Sequence, residues 1–289
     1  MKILVTGIGG QVGYELMRSL QPLGEVVGVD RAGMDLADLD QVREVIRRER
    51  PAIIVNAAAY TAVDKAETEP ELAMRINAEA PGVMAMEAAA LGAAMIHYST
   101  DYVFDGTKNG PYAEDDAPCP INTYGRSKLA GEKAIQASGA NHLILRTSWV
   151  YGRRGHNFLL TMQRLANERD ELRIVSDQHG APTWCRTIAD STAHAIGQAR
   201  CAANREEWWR QRTGIYHLTS QGKTSWHGFT AAILEQSNSE KKPRLVPIGS
   251  DQYPLPAARP LNSSLSCAKF TDTFCCLPQW HTALQLCLG

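Results

Sequence analysis

The first half of the chain alternates short apolar runs with segments of helical period, and this alternation constrains the fold more than any other feature. The apolar runs have the length of buried strands and cover residues 2–6, 25–30, 52–56, 93–99 and 142–146. Helical segments separate them, such as 39–50, which Pro51 ends. Strands separated by helices are typical of βαβ units with right-handed crossovers. We therefore predict an α/β fold built on a doubly wound parallel sheet.

A glycine-rich turn between the first strand and the first helix indicates a ligand for this sheet. Gly7, Gly10 and Gly13 would let the backbone turn tightly and approach a pyrophosphate at the helix N-terminus. Asp30 closes the second strand about twenty residues farther on, where a carboxylate holds the adenosine ribose of a dinucleotide. Arg31 follows it and would instead suit a 2′-phosphate. The turn predicts a Rossmann-type domain that binds NADH or NADPH, without choosing between them.

Composition argues against several other classes of protein. Lys plus Arg number 30 and Asp plus Glu 31, so no basic excess predicts nucleic-acid binding. The seven cysteines form no CxxC pair, which fits reduced thiols better than a disulfide framework. The first strand begins at residue 2, and the most apolar stretch, 81–97, is broken by Glu87 and Gly92. We expect neither a signal peptide nor a membrane span, and a cytoplasmic location.

Tyr124 and Lys128 form a candidate proton donor and its electrostatic partner. Four residues separate them, so in a helix they share one face. A phenol has a pKa of about 10, and an adjacent ammonium group would lower it. The pair suits proton transfer at a carbonyl or alcohol. By itself the spacing is also compatible with an unrelated surface helix.

Polar clusters follow three of the predicted strands. They are Asn56–Lys65, Ser99–Tyr102 and Arg146–Gly152, after the third, fourth and fifth strands. The carboxyl ends of parallel strands meet at one edge of a sheet, where ligands bind. We expect these clusters to converge with Tyr124 and Lys128 on one pocket.

The motifs together resemble a known family. Gly7–Gly13, Asn56-Ala-Ala-Ala, Ser99-Thr-Asp-Tyr-Val-Phe-Asp-Gly and Tyr124-Gly-Arg-Ser-Lys-Leu-Ala-Gly-Glu look like the extended short-chain dehydrogenase/reductases. Arg146-Thr-Ser-Trp-Val-Tyr and Gln178-His-Gly-Ala-Pro-Thr narrow the resemblance to the dTDP-4-dehydrorhamnose reductases. The likeness covers nearly the whole chain and thins at residues 200–213 and at the C-terminus.

The resemblance implies NAD(P)H-dependent reduction of the C4 keto group of dTDP-4-dehydrorhamnose to dTDP-L-rhamnose, in cell-surface polysaccharide synthesis. The implied catalytic residues are Tyr124, Lys128 and Thr100. Besides the glycine turn, Asp30, Tyr124 and Lys128, the implied cofactor contacts are Gln11, Val12, Asp35, Leu36, Ala59, Tyr60, Thr61 and Tyr98. The implied sugar-nucleotide contacts are Thr61, Val63, Thr100, Asp101, Tyr102 and Trp149.

Related activities stay open. Dehydratases of this superfamily place an Asp-Glu pair after the threonine, and here Asp101 and Tyr102 follow Thr100, which counts against elimination. Another dTDP-4-keto-6-deoxysugar reductase, an epimerase, and a non-catalytic NAD(P)-binding regulatory subunit are the alternatives.

The second half predicts a smaller C-terminal substrate-binding lobe. We place the dinucleotide domain at 1–150, rejoined by about 187–219, and the lobe at 151–186 and 220–289. Residues 243–264 are proline-rich and without a clear period, which predicts an extended, lid-like segment. Within it, Arg259 is either a partner for the substrate diphosphate or a solvated charge.

Two further features bear on partners. Trp208 and Trp209 lie among charges, and either anchor a partner or, as we favour, staple an inserted loop. Some members of the family bridge a homodimer with Mg²⁺ held by glutamates. Glu15 matches one such ligand, but Arg186 stands where another is expected. This departure counts against both the metal and that dimer, and no other cluster has metal-ligand spacing.

Overall fold

The computed structural model describes residues 1–237 and 241–289. The strands are β1 Lys2–Thr6, β2 Glu25–Val29, β3 Ile53–Asn56, β4 Ala94–Thr100, β5 Asn141–Thr147, β6 Val150–Tyr151, β7 Glu171–Val175, β8 His179–Gly180, β9 Thr183–Trp184, β10 Gly214–His217, β11 Thr224–Ser225 and β12 Arg244–Ile248. The helices are α1 Gln11–Ser19, α2 Leu39–Glu49, α3 Val63–Ala66, α4 Pro70–Met74, α5 Ala80–Leu91, α6 Thr123–Ala137, α7 Phe158–Glu168, α8 Cys185–Cys201, α9 Arg205–Arg212, α10 Trp226–Gln236, α11 Ala268–Thr273 and α12 Trp280–Leu288. A π-helical turn, Arg75–Glu79, joins α4 to α5.

Six strands form one parallel sheet in the order β10-β5-β4-β3-β1-β2. The chain leaves β1 toward β2 on one side and returns to β3 on the other, so the strand order reverses between β1 and β3. In an open α/β sheet this reversal opens the crevice in which ligands bind. The predicted doubly wound parallel sheet is confirmed.

Each face of the sheet carries its own hydrophobic core, because successive side chains of a strand point to opposite faces. Ile3, Ile53 and Ile96 lie on the face covered by α1, α8 and α9. Leu4 and Ile54 lie on the opposite face, under α2, α5 and α6. Burial on both sides explains why the strands read as continuous apolar runs.

Trp208 and Trp209 belong to the first of these cores. Both side chains are buried, and Trp208 packs against Phe274 with ring centroids 6.1 Å apart. The alternative of exposed partner anchors is therefore wrong, and the favoured prediction of a stapled loop is right only in that both rings are buried, since they hold the helix α9 in the main core.

A smaller cluster lies beyond the carboxyl edge of the sheet. Tyr151, Leu159, Leu172, Phe229 and Leu284 form its centre. The segments that supply them come from both sides of α8, which packs against α1 and rejoins the main sheet through α9 and β10. The exact domain boundaries stay a prediction.

The expectation of an extended segment over 243–264 is partly wrong. Its first residues form β12, which pairs in parallel with β7 from Arg244↔Glu171 to Ile248↔Val175. Pro247 is tolerated because this sheet has two strands, so one edge of β12 needs no partner.

Candidate functional site

The glycine turn forms the floor of the site. Gly7 has φ +68°, a conformation that side chains with a Cβ rarely adopt, and a Cβ on Gly13 would overlap the Gly7 carbonyl oxygen. α1 starts at Gln11 without a side-chain cap at Gly10, so its first N–H groups face the turn. The local sequence therefore builds an anion-binding helix N-terminus.

A cavity of about 730 Å³ runs from this turn across the sheet edge to α6. Of the predicted cofactor contacts, Gly13 alone is not part of the cavity wall, since it packs beneath the turn. The others line it: Gly7, Gly10, Gln11, Val12, Asp30, Arg31, Asp35, Leu36, Ala59, Tyr60, Thr61, Tyr98, Tyr124 and Lys128. Sequence reasoning missed Gly155 and His156, which line the same cavity from the loop before α7.

Asp30 and Arg31 both line the end of the cavity where an adenosine ribose would lie. One Asp30 oxygen, Oδ1, accepts the backbone N–H groups of Ala32 and Gly33 at 3.0 Å each. Arg31 is exposed, and its Nε is 3.4 Å from Asp35 Oδ2. An exposed pair of this kind holds its partners weakly. The geometry is therefore compatible with either cofactor.

α6 carries Tyr124 and Lys128 into the cavity. Asn122 begins the helix, and its Oδ1 accepts the N–H of Gly125 at 2.7 Å. Lys128 is buried, and its ammonium donates to the carbonyl oxygen of Tyr98 at 2.6 Å. Burial lowers the pKa of Lys128 to about 8, and the nearby Glu132 carboxylate opposes this shift.

The electrostatics of Tyr124 differ from the expectation. Burial raises the pKa of Tyr124, the negative charge of Asp101 raises it further, and a hydrogen bond with Thr100 opposes both. The ammonium of Lys128 is hydrogen-bonded to the Tyr98 carbonyl of β4. The pKa of Tyr124 is raised and not lowered, so the predicted lowering by Lys128 is wrong for the protein without ligands.

A row of buried polar groups beneath Lys128 escaped the sequence analysis. Lys128 Nζ is 3.2 Å from His97 Nε2, and a hydrogen bond of 3.0 Å links His97 Nδ1 to the Asn56 amide. Thr6 Oγ1 donates to Asn56 Oδ1 at 2.6 Å. Thr6, Asn56 and His97 are paired across β1, β3 and β4. A polar residue at the same register of three apolar strands was the signal that could have revealed this row.

Thr100 and Asp101 lie at the carboxyl end of β4. Thr100 Oγ1 donates to Asp101 Oδ1 at 2.9 Å and accepts the N–H of Tyr102 at 3.1 Å. Burial raises the pKa of Asp101 to about 6, although hydrogen bonds with Ser263 and Thr100 oppose the shift. The third catalytic hydroxyl implied by the resemblance thus lies between a buried carboxyl group and the Tyr124 phenol.

A second cavity, of about 660 Å³, adjoins this end of the site. Tyr102 lines it and meets Tyr124 edge-to-face, with ring centroids 5.9 Å apart. The residues missed from the sequence include an aromatic, arginine-bearing wall: Phe158, Arg169, Arg173, Trp226 and Tyr253. They come from segments far apart in the chain, and no local pattern marks them.

Of three further predicted substrate contacts, Arg259 lines the second cavity, whereas Trp149 and Val63 line neither cavity. Trp149 has φ +47° and stacks on Trp226 at 3.5 Å between centroids. Val63 begins α3. Arg259 lines the second cavity, is 14% exposed, and donates through Nη2 to Asp64 Oδ2 at 2.8 Å. The alternative of a solvated charge for Arg259 is therefore wrong.

Two further findings concern metals and membranes. Among residues 1–237 and 241–289, no group of three or more His, Cys, Asp or Glu side chains could hold a metal ion. Arg186 is exposed, and its Nε lies 3.7 Å from Asp190 Oδ2. Within the same residues, no helix has the length and apolar character needed to cross a bilayer.

Comparison with known proteins decides the family. The family model described as "RmlD substrate binding domain" matches residues 1–289. The chain belongs to the dTDP-4-dehydrorhamnose reductase family. It is 49% identical to a dTDP-4-dehydrorhamnose reductase of Burkholderia thailandensis, over 100% of this chain and 98% of the relative. It is 46% identical to the Escherichia coli K12 protein of the same name, over 100% and 97%.

Solved structures agree with this family. The dTDP-4-dehydrorhamnose reductase of Bacillus anthracis, in complex with NADP, superposes with a TM-score of 0.91 at 34% identity, over 99% of this chain and 98% of that one. A Thermus thermophilus UDP-glucose 4-epimerase superposes with a TM-score of 0.79 at 20% identity, which shows the shared fold alone. The resemblance inferred from the motifs is confirmed.

Proposed function

We propose that this protein is an NAD(P)H-dependent dTDP-4-dehydrorhamnose reductase, which reduces the C4 keto group of dTDP-4-dehydro-6-deoxy-L-mannose to give dTDP-L-rhamnose. The observation that carries the proposal is that Tyr124 and Lys128 line the far end of a cavity that starts at the glycine turn, with Thr100 beside Tyr124. Full-length membership in the family, whose named relatives are reductases of this sugar nucleotide, supports the choice of substrate.

The residues of the first cavity fit a nicotinamide dinucleotide. Small residues at Ala57, Ala58 and Ala59 leave room beside the glycine turn, and Asp30 and Arg31 stand at the far end. Gln11 and Val12 would face the pyrophosphate, and Lys128 the nicotinamide ribose. When bound, the reduced nicotinamide supplies the hydride for C4, and the protein supplies positions and a proton.

Tyr124 donates that proton to the C4 oxygen. Its raised pKa keeps the phenol protonated throughout the ordinary pH range, so the acid form is always present. The Thr100 hydroxyl lies beside the phenol and opposes the rise of its pKa. Lys128 contributes a positive charge fixed by its bond to the Tyr98 carbonyl, which favours negative charge developing nearby.

The second cavity is the proposed nucleotide pocket of the substrate. Aromatic rings such as Phe158 and Trp226 offer stacking surfaces for a base. Arg169, Arg173 and Arg259 offer guanidinium groups for a diphosphate. The sugar would then lie between the cavities, where Thr61, Val63, Thr100, Asp101, Tyr102 and Trp149 are the proposed contacts.

We place the reaction in the cytoplasm, because cysteines 119, 185, 201, 267, 275, 276 and 287 are free thiols. The homodimer implied by the resemblance stays a prediction.

The test is the loss of nicotinamide absorbance when the purified protein is mixed with enzymatically prepared dTDP-4-dehydrorhamnose and NADPH or NADH. We expect turnover, with dTDP-L-rhamnose identified by NMR. An epimerase would change the sugar without consuming the cofactor, and another reductase would give a different stereoisomer. No turnover with either cofactor would refute the assignment.

A Tyr124→Phe variant tests the proton donor separately. Loss of a positioned general acid costs about 10²–10⁴-fold in kcat. Tyr216→Phe is the matched control, because the Tyr216 hydroxyl donates to the Arg212 carbonyl, away from the site. Full activity of Tyr124→Phe would remove Tyr124 from this role.

A further inference from the structure

Asp101 is a buried carboxyl group that the reaction described so far does not use as an acid. It is 3% exposed, and its Oδ2 has no hydrogen-bond partner. Its Oδ1 accepts from Thr100 Oγ1 at 2.9 Å, and the Thr100 hydroxyl lies beside the Tyr124 phenol. The Thr100 hydroxyl is therefore positioned to join the Asp101 carboxyl group and the Tyr124 phenol in one hydrogen-bond chain.

This chain has two directions, because each hydroxyl carries one proton. With Asp101 ionised, Thr100 donates to Asp101 and Tyr124 donates to Thr100, so the phenol proton points away from the ketone. With Asp101 protonated, Asp101 donates to Thr100 and Thr100 donates to Tyr124. The phenol proton of Tyr124 is then released toward the cavity.

We propose that the protonated carboxyl group of Asp101 orients the Thr100–Tyr124 hydrogen-bond chain for reduction and returns a proton to Tyr124 after each turnover. The inference rests on the proposed reductase function and deepens it. Asp101 is a positioning residue in this scheme, since it acts on the ketone only through Thr100 and Tyr124.

The proton transfers balance without another reactant. As C4 receives the hydride, the Tyr124 O–H bond breaks and the C4 oxygen gains that proton. The Thr100 hydroxyl proton passes to the Tyr124 oxygen, and the Asp101 carboxyl proton passes to Thr100. Asp101 is left as a carboxylate, which takes one proton from water once the product has gone. The net change is the single proton that ketone reduction requires besides the hydride.

The surroundings of Asp101 favour its neutral form. Tyr124 faces it from α6 and Tyr102 adjoins it, and the negative charge of Asp101 raises the pKa of both phenols. The charged pair Arg259–Asp64 lies beyond the Tyr102 ring, with the guanidinium 5.9 Å from the ring centre. The hydroxyls of Ser263 and Thr100 and the backbone N–H groups of Asp101 and Tyr102 favour the carboxylate, but burial outweighs them. The pKa of Asp101, raised to about 6 by burial, lets the carboxyl group both give and regain a proton near neutrality.

The sign of the pH dependence follows. Reduction needs protonated Asp101, so kcat should fall as the pH rises through the pKa of Asp101, and the protonated fraction falls about tenfold per pH unit above it. Asp101→Asn cannot supply a proton, but its amide can still donate to Thr100. We expect this variant to lose about tenfold or more in kcat at pH 6 and to approach wild type at pH 9.

Control variants separate an effect on the Asp101–Thr100–Tyr124 hydrogen-bond chain from an effect on the fold. Thr100→Val should reproduce the flattened pH profile, and Thr100→Ser should restore the wild-type shape. Asp115→Asn removes an exposed carboxyl group and should leave the profile unchanged. An Asp101→Asn variant whose kcat is reduced by one constant factor at every pH would overturn the proposal, because a structural defect has that effect.

A titration of the substrate-free protein gives a readout besides activity. In protein labelled with ¹³C at the aspartate carboxyl carbon, we expect one resonance that titrates near pH 6 and is missing in Asp101→Asn. Titration of the Asp101 carboxyl at its ordinary pKa, about 3.9, would overturn the inference. Failure of the proposed function is distinguishable, because wild type would then show no turnover at any pH, whatever the NMR titration shows.

Discussion

A buried ion pair between α6 and β5 gives the sharpest stability prediction. Glu132 on α6 and Arg146 on β5 are 0% and 1% exposed at their side chains. Arg146 donates through Nε at 2.9 Å and Nη2 at 2.7 Å, one bond to each carboxylate oxygen of Glu132. Ser99 Oγ also donates to Glu132 Oε1, at 2.5 Å. The pair is thus bidentate, dry and supported by a third hydrogen bond.

Glu132→Gln should therefore destabilise the fold strongly. It leaves the Arg146 guanidinium buried without a counter-charge, and Nη1 of Arg146 already lacks a partner. Breaking a buried pair from one side costs about 3–5 kcal/mol, a large part of the ~5–15 kcal/mol by which domains are stable. The pKa of Lys128 should also fall further below about 8, because Glu132 now opposes that shift.

A second bidentate pair provides the matched control. Arg47 donates to Glu87 at 2.8 and 2.6 Å, but the Arg47 side chain is 65% exposed. Solvent screens such a pair, so Glu87→Gln should cost no more than about 1 kcal/mol. Both substitutions remove a carboxylate charge from a bidentate pair, and the pairs differ mainly in the arginine, which is 65% exposed in one and 1% exposed in the other, while Glu87 itself is only 10% exposed.

The assay is equilibrium unfolding in urea, with the free energy of unfolding compared between wild type, Glu132→Gln and Glu87→Gln. A double variant, Glu132→Leu with Arg146→Met, should be more stable than the sum of its single changes predicts, since both charges are removed together. The reasoning is refuted if Glu132→Gln costs no more than Glu87→Gln. It is also refuted if the costs of Glu132→Leu and Arg146→Met, measured singly, simply add in the double variant.

Three further predictions follow from the described contacts. Gly13→Ala should weaken NADPH binding in a fluorescence titration by at least tenfold, because a Cβ there would overlap the Gly7 carbonyl. A Cβ at Gly9 meets nothing within 4 Å, so Gly9→Ala should be thermally stable. Arg31→Ala should raise the KM for NADPH and leave that for NADH nearly unchanged, since Arg31 stands where a 2′-phosphate would lie; equal loss with both cofactors would contradict this. Trp208→Ala should lower the free energy of unfolding by about 3–5 kcal/mol, because its ring is buried in the core of the sheet.

The sheet was predictable because its strands are buried on both faces and so leave continuous apolar runs. The fifth strand, predicted at 142–146, is observed at Asn141–Thr147, which differs only at the fraying ends. β12 was missed for the opposite reason. It carries Pro247 and exposes Arg244, and what makes it a strand is pairing with β7, a partner distant in sequence.

The candidate site was predictable where its residues lie close together in the sequence. The glycine turn and the spacing of Tyr124 and Lys128 on α6 are local, and both reach the predicted cavity. The wall of the second cavity is not local, because Phe158 and Trp226 meet only after two segments of the lobe pack together. No period or spacing relates such residues in the sequence.

The direction of the Lys128 side chain shows how far spacing alone can mislead. Helical spacing places Lys128 beside Tyr124, but it says nothing of the acceptors that β4 offers, and the Tyr98 carbonyl at 2.6 Å takes the ammonium. The partial burial of Tyr124 and the negative charge of Asp101 therefore disfavour its phenolate. We expect a proton given up there to be replaced from the Thr100 hydroxyl, which lies beside the phenol and donates to Asp101 Oδ1 at 2.9 Å. The shift that makes Tyr124 a weak acid on its own is thus a physical reason to expect that a second acid, Asp101, takes part in the proposed proton transfer.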